Sequence, residues 1–369
     1  MKRKLGCIAL FLSVLALGIT GCGNTENKQK DETENLIDSS PEDHIENIVL
    51  QDEMTALSNG LAAISFEGNN GFARFMEAGG AKSDLDVISY LKENLLSNIP
   101  DLIFGGNPFG CSTFLVKSKS DGYYFGRNFD WGRCKALILH SKPQDGYSSI
   151  STVNMDFIQA DGMDISKLPD QIQALIGVYA PLDGMNEKGL AVSVNMIQDG
   201  ENINQDTDKK DITTTTAVRL LLNQAANVEE AVALLGEYDM HASMNMMVHF
   251  AIADAEGNSV VVEYIDNQMI VTDTQVVTNF YLTEGEKYGI GTSQSHERYE
   301  ILEKAIAEHE TMEVADVRDT LDSVSKDNFQ DTATTEWSIV MDLTKKEATY
   351  YHREDYTKGY TISLEDYAE

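Results

Sequence analysis

Neither a helix nor a strand runs easily through Gly105-Gly106-Asn107-Pro108-Phe109-Gly110. Glycine loses the most backbone entropy on ordering, and proline offers no N–H to a ladder or a helical turn. This cluster therefore divides the chain into two parts of different character. Before it, residues 45–104 carry helical spacing. Leu50, Met54, Leu57, Leu61 and Ile64 recur on one side of 45–64, led in by Ile45, Ile48 and Val49, and Leu85, Val87, Ile88, Leu91, Leu95 and Leu96 repeat the pattern in 84–99. After it come short runs rich in β-branched and aromatic residues, among them CSTFLVKS, GYYFGRNF, ALILHS and ISTVNMDF. Asp121-Gly122 between the first two is a hairpin signal. Further strands are expected at LIGVYA, LAVSVNMI, MVHFAIAD, SVVVEYID, QMIVTD, VVTNFYL, WSIVMDL, ATYYHRE and GYTISL, with helices over 216–235, 295–309 and 312–324. Strands and helices grouped in separate blocks imply α+β layering rather than alternating βαβ units.

The first 21 residues read as a leader. Lys2, Arg3 and Lys4 precede a short apolar run from Leu5 to Ile19, and Ile19-Thr20-Gly21-Cys22 places small residues before a cysteine. The run is shorter than the ~20 residues that a spanning helix needs. Cysteine at this point resembles a bacterial lipobox, which implies a lipid on Cys22 and a protein held on the extracytoplasmic face of the cell membrane. A plain secretory leader is the alternative. Residues 22–44 then form a polar tether too poor in apolar groups to order itself.

Net charge is −32, and losing Lys2, Arg3 and Lys4 with the leader makes it −35. Such a surface repels phosphate backbones, so nucleic acid is not expected as a partner. Of the four cysteines, Cys7 leaves with the leader and Cys22 carries the lipid. Cys111 and Cys134 remain. One possible pair is not a disulfide framework, and Cys134 is expected to be a buried free thiol. No His/Cys/Asp cluster has metal-ligand spacing, and no glycine-rich phosphate loop occurs, so neither metal nor cofactor is expected.

The densest local signal is Gly110-Cys111-Ser112-Thr113-Phe114 followed by Gly126-Arg127-Asn128-Phe129-Asp130-Trp131. It proposes a strand from Cys111, a tight turn, and a partner strand that brings Arg127 and Asp130 back beside the cysteine. A nearby cation favours the reactive thiolate, and a carboxylate could hold an amine in place. An ordinary hairpin with a surface ion pair explains the same spacing.

These residues resemble the start of the N-terminal-nucleophile cysteine hydrolases of the choloylglycine hydrolase, or linear amide C–N hydrolase, family. That family includes bile salt hydrolases, penicillin V acylases and, more distantly, acid-ceramidase-like enzymes. Cysteine, arginine sixteen residues on and aspartate three further are met by Cys111, Arg127 and Asp130. Gly184-Met185-Asn186-Glu187-Lys188-Gly189-Leu190, leading to Asn195, is similar to a second family segment. Val277-Thr278-Asn279 is similar to a third and Ser295-His296-Glu297-Arg298-Tyr299 to a fourth. Tyr281 stands where the family usually has proline, and Asn195 sits one residue closer to its NEKG segment than in bile salt hydrolases.

The resemblance implies a four-layer αββα sandwich over 111–369 with a helical pro-segment over 45–110. It also implies a cut at Gly110–Cys111 by the precursor itself, after which the small subunit can stay docked. Cys111 would then be a nucleophile whose own α-amine is the base, with an unperturbed pKa of about 7.7–8.0. Asp130 would orient that amine, and Arg127 would stabilise the thiolate. Asn195, Asn279 and backbone N–H groups would bind the oxyanion, at roughly 3–4 kcal/mol per good donor. Arg298 would hold Asp130 or the thiol in register.

The implied substrate is a small N-acyl amide: fatty-acyl, bile-acid conjugate, acyl amino compound or penicillin-type. Met240, Met244, Met246 and Met247 could line an adaptable acyl pocket, or simply be core. Two other readings are a non-catalytic ligand-binding surface lipoprotein and a papain-like protease pairing Cys111 with His249 or His296.

Overall fold

The computed structural model describes residues 44–96, 100–106, 108–160, 164–198, 200–329 and 332–367. The leader, Cys22, all of the tether but its last residue, and Asn107 lie outside them. Four strands and two helices precede Cys111: β1 (His44–Asn47), β2 (Thr55–Ser58), β3 (Leu61–Gly68), α1 (Phe72–Glu77), α2 (Asp84–Asn94) and β4 (Leu102–Phe104). Next come β5 (Gly110–Ser118), β6 (Tyr123–Trp131), β7 (Ala136–Pro143), β8 (Ser149–Asn154), β9 (Ile158–Ala160) and α3 (Asp170–Val178). β10 (Asp183–Asn186), β11 (Ala191–Met196) and β12 (Lys210–Thr213) lead to α4 (Thr214–Gln224) and α5 (Val228–Leu235). β13 (Tyr238–His241), β14 (Val248–Ala253), β15 (Ser259–Ile265), β16 (Gln268–Asp273) and β17 (Val276–Val277) follow. The chain closes with α6 (Ser293–Glu308), β18 (Thr311–Met312), α7 (Val314–Ser323), β19 (Thr334–Asp342), β20 (Glu347–His352) and β21 (Asp355–Ser363).

Two sheets stack face to face. One runs β1-β21-β20-β19-β6-β5-β17 with β18 beside β5, and the other β16-β15-β14-β11-β10-β8-β7-β3-β2. Helices α6 and α7 cover the first sheet, α3, α4 and α5 cover the second, and β5 meets β11 between them. The result is the four-layer αββα sandwich. Because each sheet is covered on both sides, its central strands read as unbroken apolar runs rather than alternating ones. The alternation survives in what each residue touches. Phe114, Val116 and Tyr124 pack with Leu302, Val317 and Leu321 of the helical layer. Cys111, Leu115, Phe125 and Phe129 belong to the core between the sheets.

The helical expectation for 45–104 holds for α1 and α2 and fails for 45–64. There the chain forms β1, β2 and β3, and Ile45 and Val49 of the supposed apolar face are exposed. Gly60 turns the chain between β2 and β3 with φ +99, which ends any helix through it. Pairing decides the rest, since β3 lies parallel to β7 over eight residues and β1 parallel to β21. Short apolar runs do not separate helix from strand by periodicity alone. The same ambiguity misplaces LIGVYA, whose first four residues end α3 instead of forming a strand. The helix expected over 216–235 is two, because the Asn227 side chain accepts from the N–H of Glu230 at 2.9 Å and caps a new start.

Candidate active site

Cys111 is the second residue of β5, paired across the ladder with Phe129 of β6. This pairing sets its neighbours. Its side chain enters the core between the sheets, where the thiol Sγ lies 3.6 Å from the Val194 carbonyl oxygen. Arg127, also on the inter-sheet face, is fully buried there. Its Nη2 donates to the same Val194 carbonyl at 3.3 Å and its Nε to Asp183 Oδ2 at 3.2 Å. Trp337 Nε1 donates to that Asp183 oxygen at 3.0 Å, so the buried cation meets a carboxylate fixed by a third residue. Burial pushes the Cys111 thiol up; the Arg127 guanidinium beside it works against that, and Asp130 adds to it. Burial thus favours the neutral thiol, while the cation that favours its thiolate lies beside it.

The backbone of Cys111 is held from the other side. Its N–H donates to Asn279 Oδ1 at 2.9 Å. Arg298 of α6 reaches under the strand, its Nη2 donating to the same Asn279 oxygen at 2.8 Å. The Nη1 of Arg298 donates to Asp130 Oδ2 at 2.7 Å, Ser112 Oγ at 2.8 Å and the Cys111 carbonyl at 3.0 Å. Thr335 Oγ1 donates to the second Asp130 oxygen at 2.7 Å. Both carboxylate oxygens of Asp130 are therefore engaged, and the buried Arg298–Asp130 pair brackets the Gly110–Cys111 peptide. A Cβ on Gly110 would stand 2.8 Å from Asp130 Oδ2, so only glycine lets the carboxylate lie against this bond. A cleft of about 710 Å³ opens onto Gly110, with Asp130, Asn279, Arg298, Lys326 and Arg133 on its walls.

Five of the six residues singled out in the sequence meet directly here. Asn195 stands one step away: its Nδ2 donates to the Val277 carbonyl at 3.1 Å, and its Oδ1 accepts from Ser193 Oγ at 3.0 Å. The amide nitrogen of Asn279 likewise points to a backbone carbonyl, that of Met196, at 2.7 Å. Both ring nitrogens of His249 are taken up by Glu263 Oε1 and the Thr278 carbonyl, each at 2.9 Å. His296 packs at a tilt against Phe280, ring centroids 4.0 Å apart and planes 31° from parallel. Met240, Met246 and Met247 are buried in the main core with Met244 packed against it, and none of the four lines the cleft at Gly110. Cys134 is a buried free thiol, as expected. Sequence reasoning missed Asp183, Trp337 and Thr335. Asp183 directly precedes the Gly184-to-Leu190 segment, but a lone carboxylate in a strand carries no sign of the partner it meets. Among the described residues no group of three or more His, Cys, Asp and Glu side chains could hold a metal ion.

A family model described as acyl-coenzyme A:6-aminopenicillanic acid acyl-transferase matches residues 116–355, a span that holds Arg127, Asp130, Asn195, Asn279 and Arg298. Penicillin V acylase of Pectobacterium atrosepticum is 27% identical over 116 residues, 28% of this chain and 31% of that protein. The match thus spans about a third of that curated relative's length. Among solved structures, penicillin V acylase from Agrobacterium tumefaciens superposes with a TM-score of 0.51 at 19% identity, covering 69% of this chain and 86% of that one. A mutant of conjugated bile acid hydrolase from Clostridium perfringens gives 0.51 at 16% identity, with 69% and 93% covered. At these identities the likeness is one of fold.

Proposed function

The chain belongs to the acyl-coenzyme A:6-aminopenicillanic acid acyl-transferase family, and on that footing we propose that it is an exported, lipid-anchored amidohydrolase that cleaves linear N-acyl amides. Its nucleophile is Cys111, freed as a chain terminus by a cut at Gly110–Cys111. The observation that carries this reading is the double hold on Cys111: sulfur beside Arg127 on one side, amide nitrogen on Asn279 Oδ1 on the other. A hairpin with a surface ion pair would not bury four charges, those of Arg127, Asp183, Asp130 and Arg298, around one cysteine.

In the cut, Sγ attacks the Gly110 carbonyl carbon and the C–N bond to Cys111 breaks. The thiol proton passes to the departing nitrogen, and a thioester remains. Water adds its oxygen to that carbonyl, returns a proton to sulfur, and leaves residue 110 as a carboxylic acid and Cys111 with a free amine. Turnover repeats these steps on a substrate. The α-amine takes the thiol proton, sulfur displaces the amine half of the amide, and that amine leaves with the proton. Water then releases the acyl group as an acid. Asp130, fixed beside Gly110 by Arg298 and Thr335, would orient the new amine. Asn195, Asn279 and backbone N–H groups are the proposed oxyanion donors once the segment ending at Gly110 withdraws. Residues 45–110 would stay docked, since β3 and β1 pair with both sheets.

The engagement of both His249 nitrogens counts against the papain-like reading. The buried cluster has no explanation in a purely ligand-binding lipoprotein. Intact masses of the protein recovered from the membrane fraction test the proposal, followed by a panel of fatty-acyl, bile-acid, acyl amino acid and penicillin-type amides. Two polypeptides, a lipidated 22–110 and an unmodified 111–369, are expected, with hydrolysis of at least one class. A single uncut chain that still hydrolysed amides would sink the N-terminal-amine mechanism.

A further inference from the structure

Asn279 holds the scissile nitrogen, yet it sits between the short strand β17 and α6, where no helix or ladder fixes the backbone. An irregular buried segment must satisfy its N–H and C=O groups by other means. Here those means lie in one row across the second sheet. Asn195 of β11 stands opposite His249 of β14. Glu263 of β15 lies next in line, its side chain 2.9 Å from His249. Each grips a different point of the segment. Asn195 Nδ2 donates to the Val277 carbonyl at 3.1 Å. His249 Nε2, facing the Thr278 carbonyl at 2.9 Å, is the donor there. Glu263 accepts the N–H of Leu282 at 3.0 Å on Oε1 and the N–H of Thr283 at 2.8 Å on Oε2. Asn279 falls between these anchors, immediately after the residue that His249 holds.

We propose that His249 and Glu263 are positioning residues that act through Asn279: they clamp 278–283 so that Asn279 Oδ1 meets the Cys111 nitrogen. This rests on the amidohydrolase reading above and extends it. The pair is fully buried, with neither side chain exposed. Removing one member of such a pair strands the other, whereas an apolar pair could fill the space at no loss of stability. A plain core would need no charge here. A clamp can use one, because a carboxylate offers a separate acceptor oxygen to each of two successive backbone N–H groups while its histidine partner donates to a carbonyl. Burial works against the Glu263 carboxylate, yet His249 and the Thr283 and Leu282 contacts hold it below the usual range, which keeps it an acceptor.

The test is a double-mutant cycle read on the chain's own bond, so no substrate need be known. His249→Ala and Glu263→Gln should each slow the Gly110–Cys111 cut by about 10- to 100-fold, and Asn279→Ala by at least as much. Added to Asn279→Ala, His249→Ala should slow it less than about twofold further. His249→Gln, which keeps a donor near the Nε2 position, should recover most of the rate. Val317→Ala, a buried change in the helical layer, serves as a control for a comparable loss of thermal midpoint and should cut normally. Multiplying effects, or a wild-type rate in His249→Ala, overturn the clamp. Exchange protection of the residue 111 amide in a Cys111→Ser chain gives a second readout that needs no cut. It should fall equally in His249→Ala and Asn279→Ala, and unchanged protection in His249→Ala would overturn the inference. A wild-type chain that is never cut would instead count against the parent reading, with the exchange measurement still deciding this one.

Discussion

Arg127 and Asp130 lie three residues apart on β6, an odd spacing, and so face opposite sides of the sheet, with Cys111 between them. Arg127 turns to the core between the sheets and meets Asp183 and the Val194 carbonyl. Asp130 turns to the helical layer and meets Arg298. The family spacing thus has a geometric content: one strand delivers a cation to the sulfur side of the cysteine and a carboxylate to its nitrogen side.

Deleting Arg127 would leave Asp183 buried with Trp337 as its one remaining side-chain donor among the described residues. Arg127→Ala should cost about 3–5 kcal/mol in urea unfolding and suppress the cut. Arg127→Lys should not restore it, because a point ammonium cannot reproduce the separate Nε and Nη2 contacts. Normal stability in Arg127→Ala would contradict the pairing.

If Gly110–Cys111 is the bond that is cut, it should tolerate no side chain on its acyl side. A Cβ at position 110 would meet Asp130 Oδ2 at 2.8 Å and the Lys326 side chain at 3.4 Å. Gly110→Ala should therefore fold but cut at least about 10-fold more slowly, as small misplacements at a reacting centre do. The conversion of full chain to fragments on a denaturing gel reads this directly.

Burial pushes the Cys134 thiol far up, and Glu336 beside it adds to the shift. A thiol raised above its unfolded value of about 8.5 stabilises the fold below that pH and loses its contribution as pH rises past it. Cys111 adds to the same trend in the uncut chain. Stability should fall from about pH 8.5 upward, and Cys134→Ala should flatten the slope. An unchanged slope in that variant would rule out the thiol as its source.

Much of the core sandwich was legible because β5, β6, β14, β15 and β19 are long, β-branched or aromatic, and bounded by turns. The stretch before Cys111 was not. β1 and β2 are four residues each and exposed or half-buried, and what makes them strands is a partner over 290 residues away or a neighbouring hairpin arm. At the site, Cys111, Arg127 and Asp130 stood out by spacing. Arg298 and Asn279 needed the family pattern, since nothing local in a helix or loop says that either reaches a strand. Asp183, Thr335 and Glu263 were silent: each acts through a long-range contact, and a lone carboxylate or hydroxyl in a strand carries no mark of its partner.

Two histidines join the stretch before Cys111 to the rest, and both sit poorly disposed to take a proton. His140, between Ser65 and Ser148, is lowered to about 4 by burial and Lys142. His352, whose Nδ1 meets Ser58 Oγ at 2.6 Å, is lowered to about 4 by burial and Arg353. Unfolded histidine titrates near 6.5, so between about pH 6.5 and 4 the unfolded chain binds more protons than the folded one. Stability is therefore full above about pH 6.5 and is lost as pH falls, by about 3 kcal/mol for each histidine at the limit. Ser58 lies on β2 and Ser65 on β3, so after a cut the same protons should loosen the junction between the two pieces. Native mass spectra of cut protein should show 22–110 and 111–369 together at pH 7.5 and increasingly apart toward pH 4. The double variant His140→Asn/His352→Asn, which cannot charge, should hold together further into acid. Release with the same pH midpoint in that variant would place the acid-sensitive contact elsewhere.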